Sequence, residues 1–115
     1  MGDPIESFIV RENDWILEFN GHVVVSGVDL GERYGYTEVF NYCCLKDKPF
    51  YFFKDRTKKV KMSYNGRIVK AAVYDNVIHY QCCEKEMDNP KTGDDRIWFH
   101  ARKNEALYFV EAVVK

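Results

Sequence analysis

The stretch FYFFKDRTKKVKMSY, residues 50–64, decides the fold of this chain. It opens with four consecutive aromatic residues, continues through a charged segment at 54–59, and ends with a second apolar run. In that second run Val60, Met62 and Tyr64 alternate with Lys61 and Ser63. Period-2 alternation is typical of a β-strand. Two such runs around a charged tip therefore predict a β-hairpin.

Two further segments repeat this pattern, at residues 7–19 and 97–111. In the first, Trp15, Leu17 and Phe19 share one face of a predicted strand. The second has a charged tip at 102–105. The first two hairpins each end in Asn-Gly, at 20–21 and 65–66. Asn-Gly favours tight turns because both residues tolerate positive φ.

The chain also carries an approximate internal repeat. Residues 36–42 (YTEVFNY) match residues 74–80 (YDNVIHY), and the same offset places Cys44 opposite Cys82. Self-similarity of this kind is typical of repeated structural units. We predict two repeats, at about 8–48 and 50–96, and a closing C-terminal hairpin at 97–115.

This unit resembles the tryptophan-glycine (WG) repeat family, whose short β units carry an Asn-Gly-like turn followed by Tyr-Asp-x-Ile. The matching pieces are Asn65-Gly66 with residues 74–77 (YDNV), and Asn20-Gly21 with residues 36–39 (YTEV). The Trp-Gly dipeptide itself is absent, since Trp15 precedes Ile and Trp98 precedes Phe. The resemblance implies a repeat scaffold and no catalytic residue.

Length and composition bound the architecture. With 115 residues, 46% hydrophobic content and eighteen aromatics, the chain has material for one domain with a substantial core. Helical periodicity is poor, and residues 84–96, broken by Asn89-Pro90 and Gly93, are predicted to be a loop. We predict an all-β protein of about eight antiparallel strands in one compact domain, 1–115, forming a barrel or a sandwich.

The N-terminus and the cysteines bear on location. We find no basic, apolar and small-residue signal pattern near Met1, and no apolar run approaches the length that spans a bilayer. A cytoplasmic protein without a membrane partner is therefore expected, with its four cysteines reduced.

Two vicinal cysteine pairs, 43–44 and 82–83, leave three interpretations open. If residues 77–83 form a strand, His79 and Cys83 lie about 13 Å apart and cannot share a metal locally. Cys44 and Cys82 are expected to face the core with Phe40. Cys43 and Cys83 would lie on the opposite face, where they could meet His79 or His100 across neighbouring strands and bind zinc. We expect no cofactor, and zinc at this site is the alternative. A reactive thiol is the third interpretation.

Charge is concentrated in residues 46–70, which hold nine basic and two acidic residues within a chain of net charge −1. Basic groups beside aromatics suit single-stranded nucleic acid, because phosphates need cations and bases stack on rings. The candidate contacts are Lys54, Arg56, Lys58, Lys59, Tyr51 and Tyr64. The alternative is a solvated hairpin edge, where lysine prevents unwanted strand pairing.

These observations favour a non-enzymatic protein-interaction or ligand-binding module that uses its aromatic-rich strands. No nucleophile elbow, phosphate-binding glycine loop or zinc-protease motif is present in the sequence. A protein partner is favoured, with strand addition as one binding mode. Edge strands rich in Tyr and Val are also compatible with a homodimer, although the sequence does not give the number of subunits. Single-stranded nucleic acid at the basic hairpin is the first alternative, and a Cys/His metal or thiol site is the second.

Overall fold

The predicted all-β class is confirmed. A computed structural model describes residues 5–11, 14–19, 21–78 and 90–114. Its elements are β1 (Ile5–Arg11), β2 (Asp14–Phe19), β3 (His22–Val25), β4 (Val28–Asp29), α1 (Leu30–Tyr34), β5 (Glu38–Leu45), β6 (Lys48–Lys54), β7 (Val60–Tyr64), β8 (Arg67–Tyr74), β9 (Asn76–Val77), β10 (Lys91–Thr92), β11 (Arg96–Lys103) and β12 (Ala106–Val113). The described strands outnumber the eight expected, partly because three of them have only two residues.

The strands form three antiparallel sheets. Sheet A has the order β1-β2-β3-β4, sheet B has β5-β6-β7-β8, and sheet C has β10-β11-β12 with β9 also paired to β11. The three predicted hairpins are β1–β2, β6–β7 and β11–β12. At the predicted Asn65-Gly66 turn, φ is 51° and 78°. The first copy of the repeated motif, β5, lies in sheet B, while the described part of the second, β9, lies in sheet C.

Sheet B is the middle layer of the protein. Phe50 and Phe52 of β6 belong to the core shared with sheet C. Tyr51 and Phe53, between them, belong to the core shared with sheet A. All four are at most 7% exposed. The aromatic run is therefore a central strand with both faces covered, and the sheets form layers rather than a barrel.

The larger core lies between sheets B and C. The Phe52 ring stacks on Phe40 of β5 at 5.3 Å and meets Phe99 of β11 edge-on at 4.9 Å. Ile97 and Ala101, on the same side of β11 as Phe99, are fully buried. Burying each large apolar side chain contributes about 1.5–3 kcal/mol, so this layer holds the C-terminal hairpin on sheet B.

A buried carboxylate joins sheets A and B. Glu18 of β2 is 7% exposed, and its oxygens accept hydrogen bonds from the backbone N–H groups of Asn41 (2.7 Å) and Tyr42 (2.8 Å). These residues form a bulge in β5, where Asn41 has φ 56° and the pairing with β6 shifts between Phe40 and Cys43. A bulge interrupts the ladder. The carboxylate therefore supplies acceptors to N–H groups that would otherwise be buried without partners.

The bulge reverses the expected faces of the vicinal cysteines. The sequence analysis placed Cys44 beside Phe40 and Cys43 on the opposite face, and this expectation is wrong. One extra residue brings Cys43 to the Phe40 side, where it packs against the B–C core. Cys44, opposite Pro49, consequently lies on the other face. The predicted partners Cys82, Cys83 and His79 lie outside the described residues.

Two local features differ from the sequence expectation. The sequence did not predict the short helix α1, because helical periodicity is poor. Asp29 caps its N-terminus by accepting a hydrogen bond from the Gly31 N–H at 2.9 Å, and Gly35 ends the helix with a φ of 77°. The predicted loop contains β10 at Lys91–Thr92, and its residues 84–89 lie outside the described ranges. Within the described residues, no helix is long and apolar enough to cross a membrane.

Candidate functional site

The outermost strand of sheet C, among the residues described, is β12. It is joined to β11 by the two-residue turn Asn104-Glu105, with φ of 52° and 68°. Two consecutive positive φ values are typical of a type I′ turn, whose twist matches that of the flanking strands. The pairing then continues without a break from Lys103–Ala106 to Arg96–Val113. This long hairpin gives β12 a straight and regular edge.

Alternate residues of β12 face opposite sides of sheet C. Val110 and Ala112 pack against the B–C core. Leu107, Phe109 and Val113 lie on the outer face, with exposed fractions of 55%, 65% and 43%. Isolated exposed apolar residues are ordinary, whereas these three lie in one row along one strand.

Side chains of β11 frame this row. The fourth outer-face residue of β12, Glu111, accepts hydrogen bonds from Trp98 Nε1 at 2.7 Å and Arg96 Nη1 at 3.3 Å. The His100 ring lies 5.0 Å from the Phe109 ring. The only carboxylate in the row is thus held close to a cation.

Along the same edge, the backbone of β12 has groups that pair with no other described strand. The Val114 N–H donates to Asp95 O at 2.7 Å, so Val114 and Asp95 form a hydrogen-bonded pair. The same register continues along the hairpin, from Arg96–Val113 to Lys103–Ala106. In an antiparallel pair, hydrogen-bonded and non-hydrogen-bonded residues alternate. Even-numbered residues of β12 therefore bond to β11. The N–H and C=O groups of 107, 109, 111 and 113 point away from β11. Three of these four residues, Leu107, Phe109 and Val113, also carry the exposed apolar side chains.

An open groove of about 620 Å³ runs beside this edge and is lined by Tyr74, Lys103, Asn104, Tyr108, Phe109, Val110 and Glu111. Burial raises the pKa of Tyr74, so its hydroxyl stays protonated. Asp75 anchors the end of the groove, because its carboxylate accepts from Lys59 Nζ and from the Asn104 N–H at 2.9 Å. The Lys59 hydrogen bond lowers the pKa of Asp75.

The aromatic members of the predicted nucleic-acid surface are directed inward. Tyr51 is 7% exposed, lies in the A–B core, and its side chain hydrogen-bonds with Ser63. Tyr64 is half-buried, and its hydroxyl donates to Leu45 O at 3.0 Å. Neither ring is presented for base stacking at the surface.

The basic members are divided between ion pairs and opposite ends of sheet B. Lys54 pairs with Glu38 at 3.5 Å, and Lys59 pairs with Asp75. Arg56 and Lys58 are exposed at the β6–β7 turn. The basic residues 46, 48 and 67 lie at the other end of β6, roughly 20 Å away at the usual rise of a strand. The run of positive charge in the sequence is therefore not one surface in the fold.

The described cysteine and histidine ligands are also separated. Cys43 packs in the B–C core, and burial raises the pKa of its thiol to about 12. A raised pKa opposes the thiolate that zinc binding requires. His100 alternates with the buried Phe99 and Ala101 and so faces the outer side of sheet C. No metal-binding group of three His, Cys, Asp or Glu side chains occurs among the described residues. With Cys83 and His79 undescribed, the zinc site stays a prediction.

β12 was predicted only as the second strand of the hairpin at 97–111 and not as a site. The available signal was that residues 107–110 (LYFV) carry large apolar side chains at both odd and even positions, so that one set faces away from a single core.

Comparisons with protein-family models, curated proteins and solved structures found no match to this chain. The function is accordingly argued from the geometry of β12 and its surroundings.

Proposed function

We propose that this protein is a non-enzymatic protein-interaction module that binds an extended segment of a protein partner by strand addition to β12. In this mode the backbone of the partner completes the hydrogen bonds of an open sheet edge, and alternate side chains of the partner fill neighbouring sites. We place the module in the cytoplasm, as the sequence led us to expect.

One observation carries the proposal: of the four β12 residues whose backbone groups point away from β11, three carry the exposed apolar side chains. A strand added at this edge would extend sheet C. One set of its side chains would contact Leu107, Phe109 and Val113, which are 43–65% exposed. The alternate set would lie over the groove beside Tyr74 and Tyr108. Backbone and side chains would thus contribute to binding together.

The contacts favour this proposal over nucleic-acid binding at the basic hairpin. Strand addition uses groups that are exposed in the fold. Base stacking would need Tyr51, which is buried, and phosphate binding would need Lys54 and Lys59 to leave their carboxylate partners. The cost of breaking such pairs is small, but the burial of Tyr51 removes the stacking contact that the sequence predicted at this hairpin.

The test is a selection of random peptides displayed on phage against the immobilised protein, followed by fluorescence anisotropy with the selected peptides made synthetically. We expect peptides with alternating apolar residues to be enriched. Phe109→Pro removes an edge N–H without breaking a β11 hydrogen bond, so binding should fall strongly while the fold remains.

Phe109→Ala is the matched control, because it also loses the ring but keeps the N–H. We expect Phe109→Ala to retain more binding than Phe109→Pro. The proposal is refuted if no peptide is enriched and the chain is also a monomer, or if the selected peptides bind the proline variant as well as the original protein.

A further inference from the structure

We infer that the strand added to β12 is β12 of a second copy of this chain, giving a two-fold symmetric dimer with a continuous sheet across the interface. This inference rests on the proposed function, since it names the partner of the same edge. It follows from the parity of the edge, the distribution of charge along it, and the closure that two-fold symmetry provides.

The parity of β12 restricts how two copies can pair. The groups that point away from β11 belong to residues 107, 109, 111 and 113, so an antiparallel partner must place odd residues opposite odd residues. A register centred on Val110 places Leu107 opposite the other copy's Val113, and Phe109 opposite its Glu111. This register covers residues 107–113, and each of the four odd residues exchanges both backbone hydrogen bonds with its opposite residue.

Side chains discriminate between the remaining registers. Pairing centred on residue 111 would put Glu111 opposite its own copy, and directly opposed like charges destabilise a sheet. Pairing centred on Phe109 would leave Val113 without an opposite residue in the strand. Pairing centred on Val110 instead pairs all four odd residues, places Leu107 opposite Val113, and keeps the two Glu111 side chains apart by setting each opposite Phe109. On the inner face it sets Tyr108 against Ala112. Tyr108 is 49% exposed and would gain cover beside the groove.

The edge lacks the usual protection against self-association. Natural edge strands are blunted by charge, proline or bulges. On β12 the only charged side chain between Ala106 and Val113 is Glu111, and Arg96 already lies 3.3 Å from its carboxylate. Pairing of β12 with β12 uses this edge in both copies at once. The assembly therefore closes at two subunits rather than growing into a fibre.

Sedimentation equilibrium of the full chain over a wide concentration range, at neutral pH, tests the inference. We expect a monomer–dimer equilibrium. Phe109→Glu would face Glu111 of the other copy twice per dimer, whereas Phe109→Lys would face the same carboxylates with opposite charge. We expect the dimer of Phe109→Glu to be about tenfold weaker than that of Phe109→Lys.

Ile68→Glu and Ile68→Lys are the matched controls, because Ile68 is a 48% exposed apolar residue on β8 in sheet B. These variants should leave dimerisation unchanged. Far-UV circular dichroism spectra identical to that of the original protein would show that all four variants fold.

Three results overturn the inference: a monomer at every concentration, equal weakening by the Glu and Lys variants at 109, or equal weakening by the Ile68 variants. These are distinguishable from failure of the proposed function. A monomer that binds selected peptides at β12 retains the module and rejects the second copy. A monomer that binds no peptide rejects both, and a dimer with the expected charge response supports both.

Discussion

Replacing Glu18 tests whether a buried carboxylate holds sheets A and B together. We consider Glu18→Gln, which keeps the size of the side chain and one carbonyl oxygen. The second oxygen becomes an NH₂ group that faces the N–H of either Asn41 or Tyr42, donors that now lie 2.7 and 2.8 Å from the carboxylate. The variant therefore removes one acceptor and puts a donor against a donor.

The expected cost follows from those two hydrogen bonds. A hydrogen bond to a charged group contributes about 1.5–3 kcal/mol, and a buried donor left without an acceptor costs about 1–3 kcal/mol. We expect Glu18→Gln to lower the free energy of unfolding by about 2 kcal/mol and Glu18→Ala, which removes both acceptors, by about 4 kcal/mol. Typical domains have only about 5–15 kcal/mol in total, so the alanine variant approaches the limit of folding.

Urea unfolding followed by tryptophan fluorescence measures this cost. With a denaturant slope of about 1–2 kcal/mol per molar, the glutamine variant should shift the midpoint down by about 1–2 M. Hydrogen exchange supplies a local readout, because the N–H groups of Asn41 and Tyr42 should lose protection before those of β11. Glu32→Gln on the exposed surface of α1 is the control and should change the midpoint little.

A free energy of unfolding of Glu18→Gln within about 0.5 kcal/mol of that of the original protein would refute this role of Glu18, because so small a difference is typical of surface substitutions. It is also refuted if exchange at Asn41 and Tyr42 stays as slow as before. Either result would mean that the bulge is held by its packing between the sheets and not by the carboxylate.

Three further predictions concern acid stability, thiol reactivity and turn geometry. Hydrogen bonds from Lys61 and Thr57 lower the pKa of Asp55 to about 2. The contribution of Asp55 to the free energy of unfolding is therefore present above about pH 4 and is lost as the pH falls towards 2. Asp55→Asn should be less stable than the original protein by roughly 1 kcal/mol or less at pH 7 and equal to it at pH 2, and a constant difference between urea midpoints at the two pH values would contradict this. Burial raises the pKa of Cys43 to about 12, so iodoacetamide at pH 8 should label it in urea but hardly in the native protein, as read by peptide mass spectrometry; equal labelling would remove it from the core. The added Cβ of Gly66→Ala meets no atom within 4 Å, so this variant should lower the free energy of unfolding by about 1 kcal/mol because of its positive φ alone. The added Cβ of Gly21→Ala also meets Glu38 Cγ at 2.9 Å, so this variant should lose more stability in the same urea assay. The reverse order would count against the close contact.

The three hairpins were predictable because their signals are local. Asn65-Gly66 has the positive φ values that its residue types favour, and the alternation of Val60, Met62 and Tyr64 with polar residues matches the face that β7 buries. On β2 the alternation was also correct, but the buried face carries Ile16 and Glu18 while Trp15 is 38% exposed. Hydrophobicity alone would have predicted that the face with Trp15 is the buried one, because hydrophobicity does not show that the Glu18 carboxylate accepts hydrogen bonds from N–H groups of another strand.

Neither candidate site could be located from sequence alone. Lys59 and Asp75 are distant in the chain and meet only when β7 and β8 are paired. Their contact turns part of an apparent binding surface into an ion pair. The open edge of β12 likewise depends on which strand lies at the edge of a sheet. The alternation of residues identifies a strand but does not show which strands lie beside it.

The sequence by itself determined that this protein consists of β-hairpins, since turn residues and period-2 alternation act over a few neighbouring residues. Only the tertiary structure decided that Phe50–Phe53 are covered on both faces, that the bulge at Asn41 moves Cys43 into the core, and that β12 is left with an open apolar edge. Each of these depends on contacts between segments far apart in the chain. Such contacts form only where the layers can bury apolar surface and satisfy every buried N–H group together.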